Sequence, residues 1–459
     1  MYNIDFSNPV KVHFIGIGGI SMSGLAEILM SEGFPVSGSD RAASELTEKL
    51  ESQGAVIHYG QRAENITDDI GLAVYTAAIK EDNPEFARAK ELGIPMMTRA
   101  ELLGVIMKNY DKSIAVSGTH GKTTTTSMIT SVLLAAKKDP TVSVGGMLHL
   151  IGGNIRIGGY DVFVTEACEY TNSFLSFFPT AEVILNIDAD HLDFFKDIDD
   201  IRNSFARFAA LLPKDGFLVI NADIEDHEKI TEGAGCDIIT FSKDGPADYT
   251  AGSVSYDEKG CAAFSVMKAG EAVASIALGV PGGHNISNAL AAYAVCDRLG
   301  IEPADISTGL SSYKGTDRRF QYKGKIGEVT IIDDYAHHPT EIAATLEAAS
   351  NYPHKKLWVV FQPHTYSRTK ALFDDFAKAL AAADDVILAD IYAAREKDNL
   401  GISSSDLCEA IKSNGTSAQY FGSFDEIENF VLQNCSPGDL LITMGAGDIV
   451  KIADSLLGL

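Results

Sequence analysis

The feature that most restricts what this 459-residue chain can become is the octapeptide Ser117-Gly118-Thr119-His120-Gly121-Lys122-Thr123-Thr124. The apolar run Ser113-Ile114-Ala115-Val116 leads into it, and a helix-forming run over 123–136 leads out. Strand, glycine-bracketed loop and helix in that order turn backbone N–H groups toward one point at a positive helix end, which is how a chain cradles phosphate. Lys122 is then placed to reach the β- and γ-phosphates of a nucleotide, and the Thr123 hydroxyl to ligate magnesium. Gly118 and Gly121 enclose only Thr119 and His120, so the loop is a shorter variant of the usual pattern. ATP with magnesium is the expected pair of ligands, held along residues 118–124.

A loop of this kind sits at the carboxyl edge of a parallel sheet, and the rest of the chain is patterned to supply three such sheets. Apolar strand patterns at 10–15, 36–40, 73–76 and 94–97 alternate with helical runs in the first stretch. Around the phosphate loop, 161–165 and 181–185 read as buried parallel strands. A period-two pattern over 240–278 predicts a small antiparallel addition, followed by an alanine-rich helix over 286–299. Four further strands are predicted at 329–332, 357–361, 386–389 and 440–443. Boundaries near 108–112 and 313–320 divide the chain into α/β units at 1–110, 111–318 and 319–459.

The first unit carries its own glycine loop. Gly16-Ile17-Gly18-Gly19, with Ser21 and Gly24 beyond it and Asp40 ending the next strand, approaches a dinucleotide fingerprint. Ser21 stands where that fingerprint has its last glycine, so the loop fits NAD, a UDP-sugar or a plain tight turn. Acids gather where magnesium ligands belong, past the strands that flank the phosphate loop: Glu166 and Glu169, then Asp188 and Asp190 ahead of His191. Surface helix caps are the competing reading for Asp188 and Asp190, and a structural role for His191.

Two polar clusters mark the third unit, Asp333-Asp334-Tyr335-Ala336-His337-His338-Pro339 and Gln362-Pro363-His364-Thr365-Tyr366-Ser367-Arg368. The paired histidines invite a metal, but no H-E-x-x-H or cysteine partner accompanies them. A cationic pocket for a carboxylate fits better, with Arg368 able to bind it bidentately. Arg318 and Arg319 stand near the boundary, within reach of phosphates or of exposed ion pairs.

Charge and cysteines narrow the setting. A net charge of −26 disfavours nucleic acid and anionic membranes as partners. Six cysteines without a C-x-x-C pair point to a reducing cytoplasm rather than a disulfide framework or zinc site. The residues from Met1 to Pro9 lack the pattern of a secretory leader, and the apolar run at 11–20 is too short to span a bilayer. A cytoplasmic protein without a membrane anchor is expected, with its oligomeric state left open between monomer and homodimer.

Taken together and in order, these motifs resemble the Mur ligase family. The resemblance runs from Gly16–Gly24 through 118–124, 186–191, 283–288, 318–320, 333–341 and 361–369 to Gly445–Ile449. It implies a Rossmann-like domain for a UDP-sugar, a central P-loop ATPase domain, and a Rossmann-like third domain that brings an amino acid and closes over ATP. The implied reaction joins L-alanine to the lactyl carboxylate of UDP-N-acetylmuramate through an acyl phosphate. The rival within the family joins an intact tripeptide to the same sugar nucleotide. By resemblance Lys122 stabilises the transferring phosphoryl group, and Glu169 and His191 join Thr123 on magnesium. Asn285 meets the adenine, while Arg319 and Asp334 touch the nucleotide. Tyr335, His337, His364 and Arg368 recognise the amino acid, with His337 among the catalytic set. Gly16, Gly18, Gly19, Ile20 and Ser21 hold the diphosphate and Asp40 the uridine. Two family features are missing: acids where Cys168 and Thr171 stand, and an arginine where Thr365 stands.

Overall fold

In a computed structural model, residues 3–76, 78–394 and 396–459 are described, which leaves Met1 and Tyr2 of the N-terminal stretch outside. Three sheets follow one another along the chain. The first contains β1 (Val12–Ile15), β2 (Val36–Asp40), β3 (Val56–Tyr59), β4 (Leu72–Tyr75) and β5 (Met96–Thr98), in the order β3-β2-β1-β4-β5. All four pairings are parallel. The order reverses between β1 and β4, so a crevice opens at their carboxyl ends, where Gly16–Gly19 lies.

The second sheet has ten strands: β6 (Lys112–Ser117), β7 (Thr141–Leu148), β8 (Gly153–Arg156), β9 (Val162–Glu166), β10 (Ala181–Ile184), β11 (Phe217–Asn221), β12 (Asp237–Ser242), β13 (Tyr249–Tyr256), β14 (Cys261–Lys268) and β15 (Glu271–Pro281). The strand of the phosphate loop, β6, lies between β9 and β10 and is parallel to both. The expected antiparallel addition is β13–β15, joined to the parallel part through β12. In the third sheet β16 (Gln321–Ile326), β17 (Val329–Asp334), β18 (Leu357–Phe361), β19 (Asp385–Leu388), β20 (Ser417–Tyr420) and β21 (Leu440–Met444) run β16-β17-β21-β18-β19-β20. Only β16 is antiparallel to its neighbour. The fold is therefore α/β throughout, as the strand–helix alternation predicts.

The strands missed by pattern include edge and polar ones, and also the buried interior strand β11. β3 is half-exposed, and β7 carries Gly145 and Gly146, so neither shows a continuous apolar run. β5 starts at Met96, after Pro95, rather than at Ile94; a proline cannot donate to the ladder.

Helix starts follow local chemistry. Thr98 and Glu101 form a reciprocal capping box at the helix Arg99–Met107, and Ser403 and Asp406 form another at Ser404–Ser413. Pro339 opens the helix Pro339–Ser350 at a position where no N–H is needed. The helix Arg99–Met107 packs so closely on the second unit that a side chain at Gly104 would meet the Ser176 carbonyl at 2.0 Å. Tyr110 stacks at 5.0 Å on Phe163 in the same seam, and one apolar core runs continuously from the first sheet to the rear of the second. No helix among the described residues is long and apolar enough to cross a membrane.

Candidate functional site

The phosphate loop is templated from the neighbouring strand end. Ser117 donates its hydroxyl to the Val183 carbonyl at 2.6 Å, fixing β6 against β10. Asn186 then clamps the loop: its Oδ1 accepts from His120 N at 2.7 Å, and its Nδ2 donates to His120 O at 3.0 Å. The Asn186 carbonyl accepts from Thr119 N at 3.1 Å, and the Thr119 hydroxyl accepts from Asp188 N at 2.9 Å. Gly118 and Gly121 have φ of +130° and +84°, and a Cβ at Gly121 would meet Asn288 Oδ1 at 2.6 Å. Only glycine combines that backbone with that clearance.

Lys122 opens the helix Lys122–Ala135 and folds its ammonium back onto the loop. It donates to the carbonyls of Gly118 and Thr119 and to Glu169 Oε2 at 3.0 Å. Burial pulls the ammonium's pKa down, but the Glu169 carboxylate outweighs burial and leaves it above its ordinary value. Glu169 is 2% exposed, and its Oε1 has no hydrogen-bond partner. A buried, unpartnered carboxylate oxygen beside a phosphate loop suits a hard cation. Thr123 and Thr124, the first residues after Lys122 in the helix, are also buried. Among the described residues no three His, Cys, Asp or Glu side chains cluster as a metal cage.

The third unit closes onto this loop through charge. Arg368 Nε and Nη2 each lie 3.1 Å from Asp190 Oδ1. Asp190 is buried rather than a surface cap, and it sits 3.8 Å from His191 Nε2. Burial would raise the Asp190 carboxyl, but Arg368 holds it well below the usual range. Burial lowers the His191 imidazole against the pull of Asp190, so the ring is neutral near pH 7 and stacks 4.5 Å from Tyr170. Arg368 Nη1 approaches His364 Nδ1 at 3.3 Å, and the His364 and His337 rings are 6.0 Å apart. His337 and His364 are both lowered to about 4, by burial first. His337 Nδ1 faces the Tyr335 carbonyl at 3.0 Å; a carbonyl only accepts, so Nδ1 carries the ring proton and Nε2 is left as an acceptor.

His120 bridges the two units. Its Nδ1 lies 3.1 Å from Glu341 Oε1, and its Nε2 makes an ion pair with Asp188 at 3.2 Å. Burial opposes the imidazolium, but Glu341 and Asp188 push the pKa up to about 9. His120 therefore carries the proton at neutral pH, while His337 beside Arg368 does not.

Arg319 lies 3.8 Å from Glu341 and 5.2 Å from the Tyr335 ring centre. Asp334 accepts from Phe320 N at 2.8 Å and Ala336 N at 2.7 Å, and burial raises its carboxyl to about 6. These groups face a cleft of about 260 Å³ together with His120, Asn285 and Asn288. Asn285 donates to the Pro281 carbonyl at 2.7 Å and accepts from Asn288 at 3.0 Å. Arg318 turns away from the cleft, to Asp333 at 3.0 Å and the Gly445 carbonyl at 2.6 Å.

The first unit's loop stands apart from this cluster. Gly16 has φ of +89°, and Gly19 caps the helix Ile20–Ser31, which includes Ser21. The Asp40 carboxylate accepts from Gly18 N at 2.8 Å and Arg41 N at 2.7 Å. Asp40 thus braces the glycine loop itself. The Ile20 carbonyl meets Asn154 of β8 at 3.4 Å, which brings the loop's helix against the second unit.

Pattern reasoning missed Asn186 and Glu341 as site residues, and it offered Asp190 as a magnesium ligand or surface cap where the structure pairs it with Arg368. Asn186 had a signal, being the first polar residue after a buried strand. Glu341 had none, since its partner His120 lies far away in the chain.

Comparison with known proteins places the whole chain. Three family models match in series: Mur ligase family, catalytic domain, over residues 11–111; Mur ligase middle domain over 116–296; and Mur ligase, glutamate ligase domain, over 318–447. The UDP-N-acetylmuramate–L-alanine ligase of Lachnospira eligens is 60% identical over 459 residues, covering 100% of both chains. That of Agathobacter rectalis is 59% identical, again over 100% of both. Among solved structures, UDP-N-acetylmuramate-alanine ligase from Thermotoga maritima superposes with a TM-score of 0.81 at 31% identity, covering 98% of each chain. A murein peptide ligase from Psychrobacter arcticus shares the fold, with a TM-score of 0.71 at 24% identity and 98% of each chain covered.

Proposed function

The chain belongs to the Mur ligase family, and we propose that it joins L-alanine to UDP-N-acetylmuramate with conversion of ATP to ADP and phosphate. The observation that carries this reading is the Asp190–Arg368 bridge, which brings the Arg368–His364–His337 group of the third unit onto the unit that carries the phosphate loop.

The lactyl carboxylate attacks the γ-phosphorus of ATP, the bond to the β-phosphate oxygen breaks, and an acyl phosphate forms. Lys122 neutralises charge on the transferring group, which is the main contribution a protein makes to such a step. The amine of L-alanine then attacks the acyl carbon, and phosphate leaves from the tetrahedral intermediate. Arg368, oriented by Asp190, and His364 hold the alanine carboxylate. His337 Nε2 accepts a hydrogen bond from the amine, positioning it for attack. Arg319, Asp334 and Asn285 line the nucleotide's base and ribose side, and Gly16–Ser21 hold the UDP moiety.

Magnesium fits the free Glu169 Oε1, with the Thr123 hydroxyl and neutral His191 as further ligands. When bound, it neutralises phosphate charge. The scattered cysteines support the reducing cytoplasm as the compartment.

The test is phosphate release from ATP with UDP-N-acetylmuramate and, in separate arms, L-alanine, glycine, L-serine or the tripeptide. Turnover with L-alanine that requires the sugar nucleotide supports the reading. Turnover with the tripeptide alone overturns it in favour of the recycling reaction.

A further inference from the structure

A second cavity adjoins the nucleotide cleft and shares Pro281, Arg319 and Phe320 with it. Its volume is about 580 Å³, within the range of roughly 300–1,000 Å³ common to small-molecule sites. No step of the ligase reaction uses it.

The charge of its lining runs against the chain. The protein has 63 Asp and Glu against 37 Lys and Arg, yet Lys259, Lys314, Arg319 and Lys325 face this cavity, with Asp317 as the sole acid among the described residues. Asp317 is already engaged, its Oδ1 lying 2.7 Å from His149 Nε2 and accepting from the Gln321 amide at 2.7 Å. Lys314 reaches the Ser311 carbonyl at 3.4 Å. Asp257, on the turn that carries Lys259, turns its Oδ1 to the amides of Lys259 and Cys261 at 2.8 Å each. Unneutralised ammonium groups around a concave surface concentrate anions.

Flat apolar surface lies beside the charge. The Phe320 and Tyr352 rings stand 6.1 Å apart, and Tyr322 is 56% exposed at the same cavity. Aromatic faces next to cations bind a planar base and its phosphate together.

Its position joins two units. Lys259 lies between β13 and β14 of the second sheet, and Lys325 lies in β16 of the third. The linker between the sheets forms the wall, with φ of +105° at Gly315, +61° at Arg318 and +48° at Phe320. Two non-glycine residues in the left-handed region are strained, so tertiary contacts hold this linker in place.

We propose that this cavity is a second ligand site, for a phosphate monoester that carries a planar heterocycle, as in a nucleoside monophosphate. The phosphate meets Lys259, Lys314 and Lys325, and the heterocycle lies against Phe320 and Tyr352.

The experiment is calorimetric titration of UMP into the full chain already saturated with UDP-N-acetylmuramate, magnesium and the non-hydrolysable imido analogue of ATP. One UMP per chain is expected, with inorganic phosphate binding at least tenfold more weakly. The double variant Lys259→Glu/Lys325→Glu is expected to weaken UMP binding at least tenfold, and the milder Lys325→Gln about threefold. Both are expected to leave alanine-dependent turnover within twofold of wild type. Absence of UMP binding to the saturated protein overturns the proposal, as does UMP binding that charge reversal leaves unchanged.

Discussion

Asp190 and Arg368, 178 residues apart in sequence, form a buried ion pair in which Oδ1 of the acid lies 3.1 Å from both Nε and Nη2 of the arginine. One partner follows β10 in the second unit and the other follows β18 in the third, so the pair exists only when the units are closed. Leaving a buried charge unpaired costs about 3–5 kcal/mol. Arg368→Lys keeps a charge but loses the planar fork. We expect it to lower kcat/KM for alanine by about 100-fold, or ~3 kcal/mol. The KM for ATP is expected to move less than threefold. Steady-state kinetics with each substrate varied in turn reads this directly, and an equal loss for both substrates would contradict the assignment.

Lys122→Ala removes the ammonium that contacts Gly118, Thr119 and Glu169. Turnover is expected to fall by at least roughly 1,000-fold, because charge on the transferring group loses its neutralising partner. Binding of UDP-N-acetylmuramate, measured by calorimetry, is expected to stay within about twofold. Loss of both together would mean that the glycine loop of the first unit does not hold the sugar nucleotide.

His120 links the phosphate loop to Glu341, and its pKa is pushed up to about 9 against the pull of burial. A raised pKa in the closed form stabilises that form fully below the ordinary value of 6.5, and the gain is lost as pH rises through about 9. His120→Gln is therefore expected to lower the melting temperature at pH 6, with a stability difference of roughly 1–3 kcal/mol. Near pH 9.5 the gap closes. Differential scanning calorimetry at the two pH values decides it; a gap that widens with pH would refute the bridge.

Glu182 in β10 is fully buried, and neither carboxyl oxygen has a partner. Burial raises its pKa well above 4.5, so the folded chain keeps it protonated. The sign follows: stability contributed by that retained proton is present below the unfolded value and lost as pH rises through the folded one. Glu182→Met is expected to stabilise the protein by about 1–3 kcal/mol at pH 8, with the advantage shrinking toward pH 4. Urea unfolding at both pH values measures it.

How much of this was legible depended on the range of the interactions. The strand, glycine loop and helix around Lys122 are contiguous, so periodicity and residue type sufficed. The edge strand β3 and the interior strand β7 escaped notice because half-exposed and glycine-bearing strands lack a continuous apolar run. For Asp40, the fingerprint marked the acid, but only the structure shows its carboxylate accepting from the amides of Gly18 and Arg41.

What the sequence determined by itself was a phosphate loop, three α/β units in series and the residue types of an amide-forming ligase. Local patterning encodes those, because each depends on neighbours within a few residues or one helical turn. What only the tertiary structure decided was which groups meet: Asn186 on the loop, His120 on Glu341, Asp190 on Arg368, and Lys259 and Lys325 at one cavity. Those pairings set which histidine carries a proton and where the free charge lies. They arise from the packing of separate sheets, and no spacing along one chain records it.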